Sequence, residues 1–162
     1  MSAVLETQPL VTEIVPYNPS YRNQVMELAR QMQSESVVHR HVMLNETKLD
    51  AQLMASQTAP DTVFFKLAVR AGEVLGGFLG VITTLYFSDE RAASDRAWFV
   101  KKDRRGSVAA VLLLQAFEEW GKAHGVQMFM LGQSTGVQIE TTKMLYEKLG
   151  YTTVGFNTFK RL

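Results

Sequence analysis

From Val63 to Lys101 the apolar residues recur at strand spacing with no helical period, while on both sides of that block the helical period holds. A block of this kind folds as neighbouring strands, and its turn residues locate them. Val63 to Val69 and Val74 to Phe87 read as two strands joined by the turn Arg70, Ala71, Gly72, and a third runs from Arg96 to Lys101. The polar tip Ser88 to Ser94 joins the second to the third, so the three are sequential neighbours in an antiparallel meander. Gly76, Gly77 and Gly80 lack dinucleotide-binding spacing and no helix follows them. They mark a bulge or a close strand approach instead.

The flanks complete the element order. Upstream, a short strand covers Leu10 to Val15. Asn18 and Pro19 then cap and open a helix carrying Tyr21, Val25, Leu28 and Met32 on one face to about Gln33. Asn45 caps a second helix, with Leu49 and Leu53 on one face, ending near Thr58 to Pro60. Ser34 to Leu44 is left as the loop between them. Downstream, a helix starts at Ser107. Its polar stripe is Gln115, Glu118, Glu119 and Lys122, and apolar residues cover most of the remaining circumference up to Gly125. Val126 to Leu131 is a continuous apolar strand, and a last helix sets Ile139, Thr142, Tyr146 and Leu149 on one face before Gly150. Thr152 to Lys160 closes the chain as a strand whose edge can pair with a second copy, a homodimer. The class expected is α+β: a mixed, mostly antiparallel central sheet of about six to seven strands with four helices and one strand–helix–strand crossover.

At 162 residues the chain has the size of one domain, 1–162, with 1–9 as a flexible N-terminal tail. Seventeen Lys and Arg against sixteen Asp and Glu give a formal charge of +1, too little to attract nucleic acid or a membrane surface. Any anion site is therefore local. With no Cys, disulfides, thiolate metal sites and a cysteine nucleophile are excluded, and no metal is expected. The first ten residues lack the basic start and apolar core of a signal peptide, and Val74 to Phe87 is shorter than the ~20 residues of a membrane span. The cytoplasm is the expected location.

That local anion site has one strong candidate. After the third strand come Lys101, Lys102, Asp103, Arg104, Arg105, Gly106 and Ser107, then the apolar helix beginning at Val108. Basic side chains around a glycine turn at a helix start, with the unpaired amides and positive dipole end of that helix, favour a phosphate or pyrophosphate. A solvated basic turn is the plain alternative.

These residues resemble the GCN5-related N-acetyltransferase (GNAT) family, in which a strand leads into Arg or Gln, two variable residues, Gly, one more, and Gly or Ala. Arg105 to Ala110 is the matching stretch, with Val108 at the central Gly position, where it adds a branched side chain, and Ala110 at the last. Leu145 to Tyr151 is similar to the family's closing segment, a Tyr followed by Leu, Gly and an aromatic residue; Ile139 stands where the family commonly has Asn. Gln133, Ser134 and Thr135 are candidates to replace that polar contact. The element order resembles the family from about Leu10 to Leu162, an acyl-CoA N-acyltransferase-like fold.

The resemblance implies direct acetyl transfer from the cosubstrate acetyl-CoA to a primary amine on a small molecule or a protein. Trp98 to Val100 would splay from Val126 to Phe129, with backbone groups of Phe99 and Val100 holding the pantetheine arm. The stretch Arg104, Arg105, Gly106, Ser107, Val108, Ala109, Ala110 would hold the pyrophosphate. Tyr146, a phenol at neutral pH, would protonate the departing thiolate. The base that deprotonates the amine is expected at His41, with His39, Glu46, Asp95 and Glu140 as alternatives. A catalytically inactive protein of the same fold, binding an acyl-CoA or a protein partner, is the competing reading.

Overall fold

The computed structural model describes residues 10–162; the N-terminal tail expected over 1–9 lies outside the described residues. Five strands form one sheet in the order β1 (Glu13–Pro16), β2 (Val63–Arg70), β3 (Glu73–Thr84), β4 (Arg91–Val100), β5 (Met128–Met130). Neighbours are antiparallel except β4 and β5, which run parallel. Four helices accompany them: α1 (Arg22–Glu35), α2 (Glu46–Thr58), α3 (Ala109–Ala123) and α4 (Ile139–Lys148). The α+β class, the meander and the crossover through α3 stand as read from the sequence.

Both faces of the sheet are covered, which is why β2 and β3 read as nearly unbroken apolar runs. On one face Phe64, Ala68, Phe78 and Ile82 pack against Ala109, Leu113, Leu114 and Phe117 of α3. On the other, Phe65, Leu67, Val69 and Leu79 meet Val25, Met26 and Leu28 of α1 and Leu53 of α2. Alternation within β2, with Phe64 facing one layer and Phe65 the other, joins two cores through a single sheet. The caps match the sequence: Asn18 Oδ1 accepts from the Ser20 amide at 2.9 Å, and Asn45 Oδ1 from the Lys48 amide at 2.9 Å.

Several expectations need correction. The sheet has five strands rather than six or seven, and Thr152 to Lys160 forms none. With both sheet faces already occupied, that segment has no apolar surface left to cover, and Val154 and Phe156 stay 93% and 91% exposed. β4 begins at Arg91, so the loop before it is shorter than the Ser88–Ser94 tip. α3 buries a single stripe, Ala109, Leu113, Leu114, Phe117 and Gly121, leaving Val111, Leu112 and Trp120 only partly covered. α4 lies at the margin of the fold with none of its residues buried.

Candidate active site

β4 and β5 pair only where Ala92, Ala93 and Ser94 meet Met128, Phe129 and Met130. Beyond Ser94, β4 continues to Val100 while β5 ends, and the strands' separation opens a cleft of about 550 Å³. Its walls are Asp95 to Val100, the loop Gly132 to Thr135, the start of α3 and one side of α4. The divergence thus sets β4 against the loop after Leu131, not against Val126 to Phe129, because the parallel register aligns the short β5 with the first part of β4.

A bulge shapes the fork. Ala97 pairs with Leu79 and Asp95 with Gly80, leaving Arg96 as an extra residue in β4. Bulges re-aim neighbouring side chains, and here Asp95 Oδ1 accepts from the Gly132 amide at 2.9 Å. The Tyr146 hydroxyl donates to the carbonyl of the same Gly132 at 3.1 Å, so Asp95 and Tyr146 hold this residue through its amide and its carbonyl. Burial raises the Asp95 carboxyl above its ordinary value against the pull of the Gly132 amide. Burial, followed by the Asp95 charge, pushes the Tyr146 phenol well above its ordinary 10. Tyr146 is therefore a protonated donor at neutral pH, with the Trp98 ring 5.5 Å away.

The anion cradle has a different basis from the one expected. Glu73 binds both Lys101 (3.0 Å) and Arg104 (3.1 Å). Arg105 reaches Glu35 at 2.6 Å, donates to the Val100 carbonyl at 3.1 Å and lies 4.9 Å from the centre of the Phe99 ring. Three of the four basic side chains are thus engaged by carboxylates. What remains open is backbone: Gly106, at φ 81°, makes the turn, and the Ala110 and Val111 amides in the first turn of α3 meet no backbone carbonyl. Those amides and the helix dipole face the cleft end lined by Arg105, Gly106, Ser107 and Ala110.

Of the cofactor residues named from sequence, Phe99, Val100, Arg105, Gly106, Ser107 and Ala110 line the cleft, and Arg104, Val108 and Ala109 do not. Ala109 is buried in the core and its amide bonds Ser107 Oγ at 3.4 Å. Val108 is 58% exposed with φ −66°, a conformation that needs no glycine, so its bulk leaves the cleft open. Tyr146 stands in the wall and His41 does not. In the tight turn His39–His41, residues two apart point to different sides, and it is His39 that lines the cleft. The His41 ring accepts from Arg40 Nε at 3.3 Å and its carbonyl from Arg161 at 2.7 Å. Glu46 is spent on Arg22 and Arg30, and Glu140 lies outside the cleft. Gln133 braces its own loop, donating to the Val137 carbonyl at 2.5 Å and accepting from the Gly136 amide at 3.0 Å, so it does not replace an Asn at position 139. Ile139 itself is exposed.

Sequence reasoning missed Gly132 and Ser36. The first is visible only as the residue after an apolar strand. The second sits in a Ser-Val-Val-His spacing that suits a side-chain-capped turn. Among the described residues no cluster of three or more His, Asp or Glu could hold a metal, and no helix is long and apolar enough to cross a membrane.

The parted parallel strands and the open helix start agree with the splayed strands and amide cradle that the resemblance to the GCN5-related N-acetyltransferases implies, and the chain has that fold. Three solved structures document the likeness. An aminoglycoside N-acetyltransferase AAC(6')-Iy in complex with CoA superposes with a TM-score of 0.76 at 17% identity, over 98% of this chain and 99% of that one. Glucosamine-6-phosphate N-acetyltransferase from Arabidopsis thaliana gives 0.73 at 15% identity, over 93% and 98%. A Trypanosoma brucei acetyltransferase gives 0.71 at 17% identity, over 94% and 100%. No family model and no curated protein sequence matches the chain.

Proposed function

We propose that this single domain is an N-acetyltransferase that passes acetyl from acetyl-CoA directly to a primary amine. The observation that carries the reading is the fork itself. A partly buried phenol, kept protonated by desolvation and by the Asp95 charge, stands where two strands part, in the same cleft as helix amides that donate to no backbone carbonyl. Phe99 and Val100 would flank the pantetheine arm, and the amides of Gly106, Ala110 and Val111 would take the pyrophosphate.

In the reaction the amine lone pair attacks the thioester carbonyl carbon. The C–N bond forms, the C–S bond breaks, and the departing thiolate takes the Tyr146 proton. The phenolate then recovers a proton from the acylated nitrogen. Proton donation of this kind contributes roughly 100- to 10,000-fold. The solved neighbours named for aminoglycosides and for glucosamine-6-phosphate make small polyhydroxylated amines the first acceptors to test. The competing reading, a binding protein without turnover, is favoured by one observation: Arg105, the side chain best placed to meet a phosphate, is already paired with Glu35.

Thiol release from acetyl-CoA with sisomicin, neamine and glucosamine-6-phosphate separates the two. Tyr146→Phe should lower kcat by about 100-fold and leave acetyl-CoA affinity within about twofold. Equal losses in both would remove its assigned role. Acetyl-CoA binding without turnover of any acceptor would favour the binding protein.

A further inference from the structure

The loop between α1 and α2 holds one polar side chain with no solvent exposure, Ser36 at 0%. A fully buried hydroxyl has to be satisfied by protein, and this one has three neighbours at bonding distance. Its Oγ lies 3.2 Å from the Thr135 carbonyl, 3.0 Å from the His39 amide and 3.1 Å from His39 Nδ1. Thr135 belongs to the loop after β5, and its carbonyl also accepts from the Val37 amide at 2.8 Å, so the contact fastens the two loops across the end of the cleft.

Counting donors fixes the imidazole. A serine hydroxyl gives one hydrogen and accepts two. All three contacts are hydrogen bonds at once only if Ser36 donates to Thr135 and accepts from both the His39 amide and a protonated Nδ1. The reverse arrangement, with Ser36 donating to Nδ1, abandons the Thr135 contact at a site water does not reach. A neutral ring protonated on Nδ1 carries its lone pair on Nε2. His39 lines the cleft, and its Nε2 has no hydrogen-bond partner among the described residues.

From this geometry we infer that His39 Nε2 is the proton acceptor for the incoming amine, and that Ser36 is a positioning residue that holds the ring in the competent tautomer. The inference rests on the acetyltransferase reading. The ammonium acceptor gives one proton to Nε2 and becomes the neutral nucleophile; the imidazolium later releases that proton to solvent, while the thiolate is served separately by Tyr146. The other charged and titratable side chains of the cleft wall are Asp95, Arg96, Arg105, Tyr146 and Lys148, with Arg40 and His41 on the ring's own turn. Asp95 is bonded to the Gly132 amide and Arg105 to Glu35.

Two measurements on the full chain test this. Long-range proton–nitrogen spectra, assigned with His39→Gln, His41→Gln and His124→Gln, should show neutral His39 protonated on Nδ1. In Ser36→Ala the ring should shift towards the Nε2-protonated form. His39 protonated on Nε2, or a tautomer unchanged by Ser36→Ala, would overturn the inference. In acetyl transfer, His39→Gln should slow neamine, whose amines are largely protonated at neutral pH, by about 100-fold or more. It should leave hydroxylamine, already neutral and needing no base, within about threefold. Equal effects on both acceptors would overturn the proton-acceptor role. Acetyl-CoA titration of the same samples keeps the outcomes apart: loss of binding in the unmodified protein would count against the acetyltransferase reading, whereas intact binding with the wrong tautomer would count against His39 alone.

Discussion

Asp95 ties the bulged strand β4 to the loop after β5 and sets the electrostatic surroundings of Tyr146. Its carboxylate is half-buried, bonded to the Gly132 amide, and close enough to Tyr146 to disfavour the phenolate. An acid whose folded pKa lies above its unfolded value costs stability once it ionises. The cost is absent at pH below the unfolded value and fully present above the folded one. Asp95→Asn keeps an oxygen to accept from Gly132 and removes the charge, so it should melt higher than the parent protein near pH 7. That advantage should vanish below about pH 3.5, where the parent carboxyl is protonated in both states. Thermal melts at the two pH values decide it; an equal difference at both would show that burial of this charge is not the cause. Tyr146 could be singled out from its segment, but the partnership with Asp95 could not. It depends on the bulge at Arg96: Gly80, which pairs with Asp95 there, signals a bulge or a close approach, but no residue type tells which strand carries the extra residue.

At the scale of elements, the bulge and the α3 contact meet at Gly80. A β-carbon there would fall within van der Waals distance of the Phe117 ring, which packs against Phe64, Phe78, Trp120 and Phe129 and has no free side to move into. Gly80→Ala should therefore destabilise by about 1–3 kcal/mol in denaturant unfolding, the usual range for overpacking a filled core. A loss below about 0.5 kcal/mol would mean that the Phe117 ring gives way and that the sheet and α3 are not tightly joined at this point. Asn45→Ala, which removes the α2 cap, should cost about 1 kcal/mol in the same assay; no loss would mean that water replaces the Asn45 bond to the Lys48 amide. Caps and periodicity made α1, α2, β2 and β3 legible in advance, since their signals lie within a few residues of one another. The segment from Thr152 to Lys160 misled because alternating β-prone residues describe what a strand can be made of. Whether an edge and an uncovered face await it is a property of the whole sheet.

The molecule as a whole is a sheet covered on both faces and forked at one end, and the proposed function belongs to the fork. Fold class, meander and crossover follow from the order of periods along the chain. The cleft does not, because it arises where β5 stops and β4 continues, a difference in strand length that the apolar run Val126 to Leu131 conceals. A nearly neutral protein whose basic turn is mostly ion-paired must draw any affinity for a pyrophosphate from helix amides and from the length of the cleft. Calorimetric titration with acetyl-CoA, with adenosine diphosphate as the control that lacks the pantetheine arm, tests this most directly. Micromolar binding of acetyl-CoA is expected, about −8 kcal/mol, with adenosine diphosphate weaker by at least tenfold. No binding of acetyl-CoA at millimolar concentration would contradict it.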